Sequence, residues 1–252
     1  MSRDPWFVAD ANLSVAWGRT LLHALERGRE ELAPMVVVID GFEDGFPEES
    51  PVIRAAVDDA LDRLDKRSVT TTANTIFPDG MWMRSDDRDD LYGRYQKILP
   101  RLHRMPGNSY GTYFERLTSW GASAESDPVN QLENVIAAYE SGIKRRTALQ
   151  ASVFDPRRDL TRQPLRGFPC LEHVTFGPIR GANLEVTGFY ATQYIVDRAY
   201  GNCVGLAELG RFVAGELGLQ LTKVTCVASV GQLGVTKSSV ADLAAVVTEE
   251  IQ

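Results

Sequence analysis

The chain has 252 residues, 44% of them hydrophobic, which is ample for a packed core. A net charge of −7 with both signs scattered offers no basic stripe for nucleic acid, and no apolar run reaches the roughly 20 residues of a membrane span. Met1-Ser2-Arg3-Asp4-Pro5-Trp6 lacks the apolar core of a secretion signal, and three cysteines with three histidines are too few and scattered for a disulfide framework or metal centre, so a reduced, cytoplasmic, metal-free protein is expected.

In chain order, Asn12 is placed to cap a helix reaching about Arg29, with Val15, Ala16, Leu21, Leu22 and Leu25 inward. Met35 to Ile39 is an apolar run of strand length, ended by Asp40-Gly41. Ser50-Pro51 starts a helix whose stripe is Val52, Ile53, Ala56, Val57, Ala60, Leu61 and Leu64, with Asp59 flanking the apolar face. The threonine-rich segment Ser68 to Ile76 reads as a strand and Pro78-Asp79-Gly80 as a turn. Leu91 to Leu99 reads as a helix ended by Pro100, followed by a loop that runs into Tyr110-Gly111. Asp127-Pro128 starts a helix with Leu132, Val135, Ile136, Tyr139 and Ile143 on one face, and this helix delivers the basic run Lys144-Arg145-Arg146.

Thr147 to Phe154 alternates as a strand does, and Val174 to Phe176 pairs with Leu184 to Tyr190 in an antiparallel reading. Gly205 to Leu217 is a helix closed by Gly218, Leu219 to Ala228 a strand, and Ser239 caps the last helix. With no repeat, no low-complexity tract and no linker, the chain reads as one α+β domain over residues 1 to 252.

Two features carry chemistry. Cys170 follows Phe168-Pro169 and leads into Leu171-Glu172-His173-Val174-Thr175-Phe176. A free cysteine is often an inert small hydrophobe, whereas a nucleophilic one needs positive charge close by to hold it as thiolate. Arg145 and Arg146 are either a solvated helix end or a clamp for an oxyanion. Cys203 and Cys226 read as core, and Trp82 between Met81 and Met83 as packing or as the lining of a folate-like pocket. Strand alternation puts Cys170 and Glu172 on one face, with Leu171 and His173 on the other.

Taken together and in order, these stretches resemble the folate-dependent thymidylate synthases and their relatives, the pyrimidine hydroxymethylases. The matching pieces are Ile53-Arg54 to Leu64, Tyr110-Gly111, Gln131-Leu132 to Arg145-Arg146, Ala151 to Pro156, Pro169-Cys170 with Thr175-Phe176, and Tyr200-Gly201-Asn202 to Leu206. They cover residues 50 to 232, the last with a one-residue gap. The resemblance implies a mixed β-sheet packed with helices and a homodimer joined through its sheet. It also implies transfer of a methyl or hydroxymethyl group from 5,10-methylenetetrahydrofolate to C5 of a pyrimidine nucleotide or related ring.

Within that likeness Cys170 is the nucleophile that adds to C6, splitting one hard step into two. Asp59 stands at the place of the catalytic glutamate, and Tyr110 in the substrate loop is a further catalytic candidate. Arg145 and Arg146 bind phosphate from the partner subunit, and the amide of Asn202 meets a uracil-type edge. Several positions depart from the family. Leu171 follows the cysteine where histidine is usual, Asp155 replaces an asparagine, and Tyr190-Ala191-Thr192-Gln193 replaces the glutamine-arginine-serine motif. Gly231 and Leu233 stand where histidine and tyrosine grip the ribose, and the long C-terminal segment that closes over folate is missing. Arg162, Arg166 and Arg198 are candidates to replace the lost phosphate contacts. The alternatives are a folate-independent enzyme of specialised metabolism and a binding or scaffold protein that keeps the fold without turnover.

Overall fold

Ser50, Ser68, Thr112 and Asn130 each turn a side-chain oxygen onto backbone N–H groups one turn ahead, and each begins a helix. The computed structural model describes residues 4–27, 31–121, 127–143, 145–162 and 168–251. The first elements are β1 (Asp4–Asp10), α1 (Leu13–Arg27), β2 (Leu32–Ile39), β3 (Phe42–Glu43), β4 (Phe46–Pro47), α2 (Pro51–Arg63) and α3 (Val69–Ile76). There follow α4 (Asp79–Trp82), α5 (Arg88–Leu102), α6 (Tyr113–Thr118), α7 (Gln131–Glu140), β5 (Gln150–Ser152) and α8 (Pro156–Asp159). The chain continues through β6 (Leu171–Ile179), β7 (Asn183–Tyr194), α9 (Tyr200–Glu216), β8 (Gln220–Gln232) and α10 (Ala241–Ile251). Among the described residues no helix is long and apolar enough to cross a membrane.

The six-stranded sheet has the order β1-β2-β8-β7-β6-β5 and is mixed. β1 with β2 and β7 with β8 are parallel, and the remaining neighbours are antiparallel. The expected pairing of β6 with β7 is present, in the register Val174↔Gly188 and Phe176↔Val186. One face is core: Met35, Val37, Ile39, Val174, Phe176, Val186, Val224, Cys226 and Ala228 are all buried. α1 covers β1 and β2, and α9 covers β7 and β8. The other face carries the row Phe7, Val36, Val227, Phe189 and His173 across five strands, with Phe7 67% and Phe189 38% exposed.

Several expectations are corrected. Ser68 to Ile76 is a helix: Ser68 accepts from the Thr71 N–H, and Val69, Thr72, Ala73 and Ile76 bury one stripe against α9. Packing here overrides the strand preference of threonine. Contact this close requires glycine on α9, because a Cβ at Gly205 would lie 2.8 Å from the Ala73 carbonyl oxygen and one at Gly201 2.6 Å from Thr72 Cβ. The helix expected from Asp127 starts only after Asn130, whose Oδ1 accepts from both Leu132 and Glu133 N–H; Ile143 is 46% exposed. α5 runs past Pro100 to Leu102, since a proline in the last turn forfeits a single helical bond. Pro78-Asp79-Gly80 enters the short helix α4. A 3₁₀ turn, Arg146–Ala148, shortens the strand expected over Thr147 to Phe154. α1 is described to Arg27, while Arg29, Lys144 and Arg166 lie outside the described residues.

Candidate functional site

Because β6 runs antiparallel to β7, the chain ahead of β6 and the end of β7 arrive at the same end of the strands. A cavity of about 250 Å³ opens there. Cys170 lines it together with Thr192, Gln193 and Tyr194 from the end of β7. A π-helical turn, Ile195–Ala199, adds Asp197 and Arg198, and the first turn of α9 adds Asn202. The far wall is Thr72 and Thr75 of α3, Arg67 just before it, and Thr112 and Tyr113 at the start of α6.

Local contacts fix the cysteine. The Cys170 carbonyl accepts from the Ala191 N–H at 3.0 Å. Two residues earlier, the Phe168 ring stacks on Tyr113 (5.3 Å, 23°) and lies 5.3 Å from the Arg116 guanidinium carbon. Arg116 is in turn held by Asp159 through bonds of 2.8 and 3.1 Å. Burial pushes the Cys170 thiol above its ordinary value; Arg198 opposes this and Glu172 adds to it. The ligand-free site therefore presents a protonated thiol at neutral pH, and a thiolate needs further positive charge or a base. Burial also pushes the Tyr113 phenol up to about 12, so beside the thiol it is a neutral donor.

The cavity's charges come from this chain. Arg67 donates to the Pro106 carbonyl at 2.8 Å, and the next residue, Gly107, has a φ of +81°, a conformation that favours glycine. Burial first, and the neighbouring Arg198 charge second, push the Arg67 guanidinium down from its ordinary value. Asp197 Oδ2 lies 3.5 Å from Arg198 and 3.8 Å from Lys66, whereas its Oδ1 is buried without a partner among the described residues.

Of the residues singled out in the sequence, Cys170 and Asn202 share the cavity, and Asn202 is buried in a helix rather than exposed on a loop. Asp59 is exposed on α2 and does not line the cavity, because Ile53, Val57, Ala60 and Leu61 take the buried face. Its neighbour Asp58 turns to the structure instead, accepting from Val69 N–H and Arg54. Tyr110 lines a second, polar hollow with His103, Arg116 and Asp159, separated from the first by the shared Gly111 and Phe168. Arg145 and Arg146 are exposed, and Arg146 borders shallow hollows near Arg180 and Thr187 that do not include Cys170. Asp155 caps α8 through the Arg157 N–H.

The remaining residues are structural. His173 lies off the thiol, its ring meeting Gln150 at 2.9 Å and Ser152 at 3.4 Å. Cys203 and Cys226 are buried with sulfurs 3.3 Å apart, and Trp82 packs edge-on against Phe212. Sequence reasoning named Arg198 among three candidates but missed Arg67, Thr72, Tyr113 and Asp197. Gln193 figured only as part of a missing motif. Neither a protein-family model nor a curated protein sequence matches the chain.

Proposed function

We propose that the cavity binds a pyrimidine nucleotide or related ring and that the protein is a thymidylate synthase-like transferase of a one-carbon unit to C5. The observation that carries this reading is that Cys170 and Asn202, from separate stretches, line one cavity with two guanidiniums, Arg67 and Arg198. The Cys170 thiol first gives its proton to solvent; the thiolate then adds to C6, the C5–C6 π pair moves to C4–C5 and the carbonyl π pair goes to oxygen as an enolate, which makes C5 nucleophilic. Tyr113, a neutral donor beside the sulfur, and the Asn202 amide orient ring and thiol. Arg198 favours the thiolate and, with Arg67, accepts an anionic substituent.

The resemblance implies 5,10-methylenetetrahydrofolate as the donor that supplies the one-carbon unit. About 250 Å³ falls below the ~300–1,000 Å³ usual for drug-sized ligands and suits one ring with its substituents. The lining residues are assigned to that ring alone. A homodimer joined through the uncovered sheet face belongs to the same proposal. Exposed Phe7 and Phe189 support it, as do exposed Arg145 and Arg146, which a twin subunit would offer as extra cations.

Incubation with a 5-fluoropyrimidine nucleotide, with and without methylenetetrahydrofolate, should add its mass to the intact protein. Cys170→Ala should abolish the gain. Wild-type protein that gains no mass with uridine or cytidine analogues sinks the covalent reading. The burial-raised thiol favours a second reading, a binding protein that keeps the cavity without turnover. That reading predicts no melting shift with reduced folates.

A further inference from the structure

Gln193 is 2% exposed and lines the cavity, yet neither its Nε2 nor its Oε1 has a hydrogen-bond partner among the described residues. Thr72 Oγ1 and Asp197 Oδ1, of residues lining the same cavity, are likewise buried and without a partner among the described residues. Unmade bonds at buried polar atoms cost stability, and a cluster of them in one hollow marks a place where a polar ligand completes the set. A primary carboxamide presents one donor and one acceptor side by side in a plane. Its complement is a planar ring edge with an adjacent acceptor and donor. Two edges meet this description: a cyclic amide, C=O beside N–H, and an amidine, ring N beside NH₂.

These edges differ only in order, and half a turn of the terminal amide exchanges Oε1 and Nε2. Among the described residues no hydrogen bond holds the Gln193 amide in either sense. We propose that Gln193 pairs with the donor–acceptor edge of the bound ring in either order, so that the site selects the class of ring and accepts both its oxo and its amino forms. The inference rests on the proposed function only in taking this cavity as the substrate site. The resemblance gives edge reading to Asn202, but Gln193 is the carboxamide here with both atoms unmet.

Equilibrium binding without folate tests it, using UMP, CMP and N3-methyl-UMP on wild-type protein and on Gln193→Met, which keeps the length of the side chain and removes both polar atoms. UMP and CMP should bind wild type within about tenfold of each other, and N3-methylation should weaken binding by about tenfold or more, the usual scale for one unpaired buried group. Gln193→Met should weaken both nucleotides by a similar factor and raise the melting temperature of the ligand-free protein, since the unmet atoms are gone. The proposal is overturned by N3-methyl-UMP binding as tightly as UMP, by a preference beyond about tenfold for one nucleotide, by Gln193→Met binding like wild type or melting lower, or by no binding of either nucleotide. If these binding results hold and no Cys170 adduct forms, the covalent reading alone fails. If the adduct forms while N3-methylation is without effect, only the Gln193 assignment fails.

Discussion

Replacing Arg116 by methionine removes one half of an ion pair that lies almost wholly out of water, with side chains 2% and 5% exposed for Arg116 and Asp159. The guanidinium makes two bonds to the carboxylate, 2.8 and 3.1 Å, and also braces the Phe168 ring that leads to Cys170. Near 3 Å and at an effective dielectric of about 20, the attraction alone is on the order of 5 kcal/mol. Removing the guanidinium recovers its own desolvation but strands the Asp159 charge, which keeps a 2.7 Å bond from the Asp155 N–H. Loss of one partner from a buried pair costs about 3–5 kcal/mol, and that is the fall expected for Arg116→Met. Urea unfolding followed by tryptophan fluorescence measures it, provided the slope with denaturant is unchanged. Arg116→Met with Asp159→Asn should restore most of the loss, because no charge is left unpaired. A fall below about 1 kcal/mol, or a double variant whose loss equals the sum of the two single losses, refutes the reasoning.

Burial raises the Cys170 thiol above its ordinary 9.0 while Arg198 opposes the shift, so alkylation by iodoacetamide should still be rising at about pH 9 and should slow at about pH 8 in Arg198→Met. A plateau reached by about pH 7 counts against this assignment. Glu208 is the second pH-dependent group: burial first, and Asp79 second, push its carboxyl from 4.5 to about 8. A carboxyl with a raised folded-state pKa holds its proton longer than the unfolded chain does, so its contribution is complete below 4.5 and is lost as pH rises to about 8. Glu208→Gln should therefore flatten the fall in stability across that window and gain most at its upper end. Equal slopes of unfolding free energy against pH for variant and wild type contradict the assignment.

The caps at Asn12 and Ser50, the stripe of α2 and the apolar runs of β2, β6, β7 and β8 were legible in the sequence because each is set by neighbours a few residues away. Ser68 to Ile76 was not, since its threonines favour a strand and only the bare backbone of Gly201 and Gly205 lets it pack as a helix. Asp59 lies outside the cavity for a related reason: a shift of one residue around a helix exchanges the inward Asp58 for an outward side chain. Cys170 and Asn202 were readable as a candidate pair from their types and order. By itself the sequence determined most of the local elements, the mixed α and β character and Cys170 as the candidate thiol. Tertiary structure alone decided that Arg67, Gln193 and Arg198 line one cavity with that thiol and that a buried amide is left unmet among the described residues, because antiparallel pairing and hydrogen-bond satisfaction depend on residues far apart in the chain.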